Sequence, residues 1–212
     1  IVNKPFQVFL TEKFGKNGVK LKRRAWQKML SGRRLDLINP SPFDIEIEDI
    51  AHGLAFQARW NGQTLGKFTF SVANHSILVT ELFKIDNPNS NKKWCLTALL
   101  HDSPEYVIGD MISPVKTFIG NEYKKLEQSL LENIHIRFGL PANTPKLIKE
   151  KIKKADRRAA WLEATQIAGF TEDEANKLFL KPTSLIMNSI KIKLTDPLKS
   201  KKEFLNVYHK LC

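Results

Sequence analysis

The chain has 212 residues, which is enough for one well-buried domain and short for two. Its hydrophobic content of 42% and charged content of 26% are those of an ordinary globular protein, and no stretch has the apolar length of a membrane span. The net charge of +12 favours anionic ligands such as nucleotides, although the lysines are spread along the chain and are not gathered beside aromatic residues.

Most of the chain shows apolar residues at helical spacing, interrupted by Gly, Pro and Asn. Before this pattern, residues 1–22 alternate charges and aromatic residues, so we expect no signal peptide there but an extension that is poorly ordered or holds a short strand. The first predicted piece is an amphipathic segment 23–30, which ends at Gly32. Helices are then predicted from Asp44 or Ile45 to about Trp60, from the cap Ser71 to the loop 86–91, over residues 92–108 with an end at Gly109, and after the cap Ser113, with Pro114 as the first helical residue. The remaining predicted helices cover residues 121–138, Thr144-Pro145 to 168, the cap Thr171 to 178, and residues 200–211.

The segments between these helices have little predicted structure. Residues 37–42 form a proline loop and residues 61–70 a glycine-punctuated turn, while residues 181–197 give no clear pattern. No region shows several alternating strands, so the predicted fold class is all-α, with residues 23–212 in one helical domain.

Two adjacent polar residues stand out in the predicted helix 92–108. His101 and Asp102 interrupt a nearly apolar run, and a core helix has no packing reason to carry them, because an unpaired buried carboxylate is costly. His75 precedes His101 by 26 residues (101 − 75), which fits two antiparallel helices joined by the loop 86–91. Imidazole and carboxylate groups that meet in this way favour a divalent metal ion.

The cysteines and remaining histidines carry less information. Cys95 and Cys212 are too few for a disulfide framework, which fits a reducing cytoplasm. His52, His135 and His209 are interpreted as structural or exposed, because none of them belongs to a chemical pattern.

Several short motifs resemble the HD-domain superfamily of metal-dependent phosphohydrolases. They are His101-Asp102-x-x-Glu105-x-x-x-Gly109-Asp110, the following Ser113-Pro114-Val115-Lys116, Arg59-Trp60 ahead of Ser71–Ser76, and Lys-Lys-Ala-Asp-Arg around Asp156 followed by Leu162-Glu163-Ala164. The set covers roughly residues 23–180 and is similar to the bacterial 5'-deoxynucleotidase branch. The resemblance implies a single HD-type helical bundle around a metal site.

The resemblance also implies a ligand set. Asp156 lies amid basic residues, where surface ion pairs are the ordinary interpretation, and only the family pattern makes it the fourth ligand beside His75, His101 and Asp102. Such a set would hold one divalent ion, which could be Co, Mn, Zn, Fe, Ni or Mg. A bound divalent ion lowers the pKa of its water, so hydrolysis of a phosphate ester by a metal-activated water is expected.

Further residues are assigned around the metal. Arg59 is the best candidate for phosphate binding because its planar fork matches two phosphate oxygens, and Lys116 is second. By resemblance, Glu105 and Asp110 are catalytic, and Trp60 faces the sugar where a 2'-hydroxyl would crowd it. The expected substrate is therefore a deoxynucleoside 5'-phosphate.

Several alternatives stay open. The loop 61–67 is longer than in the best-known monophosphatases of this branch, so hydrolysis of a deoxynucleoside triphosphate is a further possibility, as is that of a cyclic dinucleotide or guanosine tetraphosphate. A rival from another class is a basic nucleic-acid-binding protein with a structural metal. We expect a nucleotide substrate, no membrane or nucleic-acid partner, and a homodimer or higher homo-oligomer.

Overall fold

A computed structural model of the chain describes residues 25–212. The prediction for residues 1–22 lies outside this range. Within residues 25–212 there are ten α-helices and one two-stranded sheet. The elements are β1 Trp26–Lys28, β2 Arg34–Asp36, α1 Ile47–Phe56, α2 Val72–Asp86, α3 Lys92–Leu99, α4 Glu105–Ile108, α5 Ser113–Ile119, α6 Asn121–Arg137, α7 Lys146–Gln166, α8 Glu172–Leu178, α9 Ser184–Ser189 and α10 Pro197–Leu211. The fold is therefore mostly helical, as predicted.

The buried apolar residues form one core, with α2 near its middle. Helix α2 packs against α3 and α7, while α10 packs across α1 and α2. Two polar links strengthen these contacts: Ser200 donates to Asn74 Oδ1 at 2.8 Å, and Arg158 holds Asp86 at 2.6 Å. Helix α2 is thus fixed at both ends, and α7 lies along it. No helix of residues 25–212 is both long and apolar enough to cross a membrane.

The first element differs from its prediction. The described part of the amphipathic segment, residues 25–30, is not helical, because residues 26–28 pair antiparallel with residues 34–36 around a turn at Gly32, whose φ of 89° suits glycine. Asp49 on α1 accepts hydrogen bonds from the backbone N–H of Ser31 at 3.0 Å and from its hydroxyl at 2.5 Å. The hairpin turn is therefore fastened to α1, a contact that local spacing does not encode.

Many helix ends agree with the predicted caps. Ser71 accepts from the backbone N–H of Asn74 at the start of α2, and Thr171 forms a capping box with Glu174 at the start of α8. Gly109 ends α4 with a φ of 80°. Helix α5, however, begins one residue earlier than predicted, at Ser113, and α10 begins at Pro197 instead of residue 200.

The predicted helix 92–108 is wrong in the middle. It is broken after Leu99, and residues 100–104 form a turn before α4 begins at Glu105. Pro104 accounts for the break, since proline has no N–H to donate and disfavours helical backbone in the residue before it. The hydroxyl of Ser103 also donates to the carbonyl of Leu100 at 2.6 Å. His101 and Asp102 therefore lie in a turn between two helices.

The predicted helix ending at Trp60 is too long. Helix α1 ends at Phe56, and the chain then turns so that Ala58 pairs with Ser71. Helix α4 packs directly on α1 where α1 carries Gly53, and a Cβ at that position would lie 2.6 Å from the carbonyl oxygen of Tyr106. The absence of a side chain at Gly53 therefore allows the close approach that sets Glu105 beside the rest of the site.

Candidate metal centre

Three separate parts of the fold bring the predicted metal ligands together. His75 lies in the first turns of α2, His101 and Asp102 in the turn after α3, and Asp156 on α7. One ligand atom from each of His75, His101 and Asp156 lies within 4.8 Å of the other two. Asp102 Oδ2 is 3.4 Å from His75 Nε2 and 3.1 Å from His101 Nε2. His75, His101 and Asp156 therefore form a group that could hold a metal ion, and Asp102 lies beside its two imidazoles.

Both imidazoles are oriented for metal binding. Nδ1 of His75 donates to Glu163 Oε1 at 2.5 Å, and Nδ1 of His101 donates to the carbonyl of Ala98 at 2.9 Å. A carbonyl oxygen can only accept, and so can an ionised carboxylate, so each Nδ1 carries its proton and each Nε2 points into the cluster. Neither Nε2 makes a hydrogen bond within residues 25–212, although both are buried. This fits a divalent cation, since metal-binding histidines usually donate their other nitrogen in this way.

The charges of the cluster also suit a cation. Burial and Arg59 lower the pKa of His75, but Glu163 and the two aspartates outweigh them and raise it well above its ordinary value. Burial raises the pKa of Asp156, but the nearby imidazole of His75 brings it below its ordinary value. A proton on Nε2 of His75 thus occupies the position where a metal ion would bind, so the proton and the metal ion would compete for this nitrogen.

Glu163 joins the metal ligands to the predicted substrate-binding residues. Its Oε1 holds His75, and its Oε2 accepts from Arg59 Nη2 at 3.2 Å and from Trp60 Nε1 at 2.9 Å. Burial raises the pKa of Glu163, but Arg59, His75 and Trp60 lower it to about 2. The carboxylate is fully buried, ionised and surrounded by donors.

Glu163 was not predicted from the sequence to take part in the site. A signal was nevertheless present, because Glu163 follows Asp156 by seven residues (163 − 156), which places both on one face of a helix. It is also an isolated carboxylate within the apolar run Ala159–Ala164 of α7. That combination could have marked it as a supporting residue of the metal centre.

The backbone at Trp60 has an unusual conformation. Trp60 has φ 57° and ψ 26°, and Asn61 has φ 50° and ψ 32°, both in the left-handed region that bulky residues rarely adopt. The indole lies against Phe170 and Phe179, with ring centroids 5.5 and 5.8 Å away, and its nitrogen is held by Glu163. Packing and a charged hydrogen bond thus stabilise a strained turn, as is common where residues must be positioned for function.

The two predicted catalytic carboxyl groups, those of Glu105 and Asp110, lie near Asp102. Glu105 begins α4 and is buried, with Oε1 3.2 Å from Lys116 Nζ, whereas its Oε2 has no hydrogen-bond partner in the described part of the chain. Burial, Asp102 and Asp110 raise the pKa of Glu105 to about 9. Asp110 Oδ2 lies 3.6 Å from Arg59 Nη1, and burial raises its pKa as well.

Lys116 is held between two carboxyl groups. Its Nζ is 3.2 Å from Glu105 Oε1 and 3.0 Å from Glu127 Oε1. Burial lowers its pKa, but these two neighbours raise it above the ordinary value, so the side chain stays charged. All nine predicted site residues therefore lie in or directly beside one polar network; their individual roles stay predictions.

Comparison with known proteins gives one informative match. No family model matches the sequence. The chain is 56% identical over 189 residues to "Uncharacterized protein RCAP_rcc00048" of Rhodobacter capsulatus, an alignment that spans 89% of this chain and 96% of that protein. Identity at this level over nearly the whole of both chains means that this protein belongs to the same family as the Rhodobacter capsulatus protein.

Proposed function

We propose that this protein is a metal-dependent phosphohydrolase of the HD-domain type and that its substrate is a deoxynucleoside 5'-phosphate. The observation that carries the proposal is the pair of unpartnered Nε2 atoms of His75 and His101, which face the carboxylates of Asp102 and Asp156. This donor set suits a first-row divalent ion. Such an ion, when bound, supplies a Lewis acid that lowers the pKa of water to near neutrality.

The partial exposure of the ligands favours catalysis over a structural metal. The side chains of Asp102 and Asp156 are 24% and 18% exposed, although the imidazole of His75 is fully buried. Structural metal sites are usually closed by protein ligands on all sides, whereas catalytic sites keep a position open to solvent or substrate. The cluster is thus closed on the side of α2 and accessible on the side of the two aspartates.

Cationic residues beside the cluster support a phosphate substrate. Phosphoryl transfer depends mainly on positioning and on neutralising charge, and Arg59 and Lys116 supply both on one side of the metal ligands. Arg59 is held by Glu163 through Nε and Nη2, so Nη1, near Asp110, is the part of its fork that could turn toward a phosphate. Lys116 places a second positive charge next to Glu105.

Glu105 suits a role in proton transfer. With a pKa raised to about 9, its carboxyl group holds a proton near neutral pH and can donate it to the departing sugar oxygen. Its unpartnered Oε2 leaves one oxygen available for that contact. A general acid of this kind typically contributes about a hundredfold or more to turnover.

The rival function is nucleic-acid binding with a structural metal, which the net charge of +12 favours. The two functions respond differently to conditions. Binding to nucleic acid would weaken steeply with rising salt, whereas hydrolysis would require the metal and stop in chelator. Both properties can be measured on the same preparation.

The test is phosphate release from a panel of substrates with each candidate metal. The panel contains deoxy- and ribonucleoside 5'-monophosphates, deoxynucleoside triphosphates, a cyclic dinucleotide and guanosine tetraphosphate. We expect metal-dependent release that is fastest with deoxynucleoside 5'-monophosphates. No release from any member with any metal would contradict the proposal, and preferred cleavage of another member would retain the hydrolase but change its substrate.

The ligand assignment is tested with Asp102→Ala against Asp173→Ala. Asp102→Ala removes a ligand and a charge, so metal content and phosphate release should fall together. Asp173 is an exposed residue of α8, and its substitution should change neither quantity. Unchanged metal stoichiometry in Asp102→Ala would show that the ligand assignment is wrong.

A further inference from the structure

A cavity of about 280 Å³ lies beside the metal centre, between α6 and α7. The metal ligands His101, Asp102 and Asp156 form one wall of it. Its other lining residues come from α3, α6, α7 and the connection between the last two: Thr97, Gln128, Leu131, His135, Thr144, Lys149, Ile152 and Lys153. None of the predicted substrate-binding residues Arg59, Trp60 and Lys116 is among them. The cavity is therefore a distinct space that opens onto the same metal ligands.

The cavity contains a buried histidine without hydrogen bonds. His135 is only 1% exposed, and within residues 25–212 neither ring nitrogen has a hydrogen-bond partner. The carbonyls of Pro141 and Ala142 come near the ring without meeting hydrogen-bond geometry. Burying a polar group in this way costs roughly 1–3 kcal/mol, so a core position would normally hold an apolar residue. From the sequence His135 was interpreted as structural or exposed, and neither interpretation explains this buried, unsatisfied ring.

The chemistry of the walls differs along the cavity. Leu131 and Ile152 present apolar surfaces beside His135, and Gln128, whose Nε2 donates to Glu132 at 2.9 Å, retains a carbonyl oxygen as a further acceptor. Near the metal ligands Lys153 donates to Asp156 at 2.7 Å, and Lys149 lies close enough to His135 to lower the pKa of its ring. A ligand that fits both ends would carry an anionic group at the metal and a flat, mostly apolar group with a polar edge at His135.

We propose that this cavity binds the nucleobase of the substrate and that His135 hydrogen-bonds to the edge of the base. This inference rests on the proposed function, because it assigns the part of the nucleotide that the metal and the cationic residues do not bind. Burial lowers the pKa of His135, so the ring is neutral and offers one donor and one acceptor. The volume lies just below that of typical ligand pockets, about 300–1,000 Å³, and is of the size that one base needs.

The experiment compares wild type with His135→Leu. Affinity is measured for the four deoxynucleosides, which have no phosphate, and catalytic efficiency for the four deoxynucleoside 5'-monophosphates and for deoxyribose 5-phosphate, which has no base. We expect the variant to bind its preferred deoxynucleoside roughly tenfold more weakly, the scale of one lost hydrogen bond, and to discriminate less among the bases. Its efficiency with deoxyribose 5-phosphate should fall by a smaller factor than its efficiency with the preferred nucleotide.

Two further variants serve as controls. His209→Leu changes an exposed histidine on α10 and should leave every ratio unchanged. Leu131→Trp fills the cavity and should weaken deoxynucleoside binding by a larger factor than it lowers catalytic efficiency with deoxyribose 5-phosphate, which provides a second test if His135→Leu folds poorly. Unchanged base ratios in both cavity variants, or equal losses with and without a base, would overturn the inference.

Failure of the inference can be distinguished from failure of the proposed function. Hydrolysis of nucleotides with base ratios that do not respond to His135→Leu or Leu131→Trp would retain the hydrolase and remove the base site. Deoxynucleoside binding that responds to both variants, in a protein that releases no phosphate, would retain the base site and remove the proposed reaction.

Discussion

Two buried glutamates beside the metal ligands differ strongly in their affinity for protons. Glu163 on α7 receives hydrogen bonds from His75, Arg59 and Trp60, and these lower its pKa to about 2. Glu105 on α4 forms an ion pair with Lys116 alone, and burial and the nearby aspartates raise its pKa to about 9. The same side chain is thus held ionised in one place and protonated in the other.

The two glutamates are therefore expected to have different roles: one holds the residues of the site in place, and the other transfers a proton. A fully paired, ionised carboxylate fixes the groups around it and has no tendency to exchange a proton. A buried carboxyl group with one unpartnered oxygen gains little stability from its position, but it can give up a proton when a suitable acceptor arrives. The Glu163 region is therefore expected to determine stability and metal binding, and the Glu105 region to determine turnover.

The largest expected effect comes from Glu163→Ala. It leaves Arg59 buried without its main partner, and breaking a buried ion pair on one side costs about 3–5 kcal/mol of unfolding free energy. Metal content should fall as well, because His75 loses the acceptor that orients it. Denaturant unfolding and metal analysis measure both, with Glu150→Ala on the exposed face of the same helix as the control. A loss below about 1 kcal/mol would mean that Glu163 is not the support of the site.

Glu105→Gln should have the opposite effects, with a large loss of turnover and a small change in stability. The protonated carboxyl group and the amide are similar in shape, so at pH 4.5, where Glu105 of the folded protein is protonated, the unfolding free energy should change by less than about 1 kcal/mol, while turnover near neutral pH falls about a hundredfold or more. Glu127→Gln is a matched control, because Glu127 also binds Lys116 but is half-exposed. Unchanged turnover in Glu105→Gln would leave Glu105 only a role in holding Lys116.

Arg59 and Trp60 test whether the Glu163 region also contacts substrate. We expect Arg59→Ala to weaken catalysis for every nucleotide alike, since a phosphate contact carries no information about the sugar. Trp60→Ala should lower the ratio of catalytic efficiencies, deoxy over ribo, by roughly tenfold through relief of a steric clash. Because both side chains bind Glu163, metal content must be measured in each variant. If Arg59→Ala shifts the ratio and Trp60→Ala does not, the two assignments are reversed.

The smallest expected effect, counted over one pH unit, is a fall in the unfolding free energy of metal-free protein as the pH rises. Glu105 binds a proton more tightly folded than unfolded, because its pKa is raised from 4.5 to about 9. Its contribution to stability is therefore complete below pH 4.5 and is lost as the pH rises toward 9, by at most about 1.4 kcal/mol per pH unit. The unfolding free energy of wild type relative to Glu105→Gln should fall over this window. A difference that rises or stays flat would contradict the protonated state of Glu105.

The helix assignments show where sequence-based prediction succeeds and fails. Caps such as Ser71 and Thr171 act within a few residues of themselves, and the helices that they begin were predicted correctly. The continuous helix through His101 was wrong, although Pro104 was a visible local reason for a break. The prediction of a helix through Trp60 was wrong for a reason that is not local. Arg59 and Trp60 both donate hydrogen bonds to Glu163, which is more than a hundred residues away along the chain.

The sequence by itself determined which residue types are available for chemistry, because the doublet His101-Asp102 and an isolated carboxylate in an apolar helix have no ordinary packing role. It also determined most helix ends, since caps, glycines and prolines act over one turn. Only the tertiary structure decided how these groups are used. The proton affinities of Glu105 and Glu163, the orientation of both imidazoles and the unsatisfied ring of His135 all depend on neighbours from other helices. Electrostatic and hydrogen-bond energies depend on distance in space and on burial, which spacing along a chain does not specify.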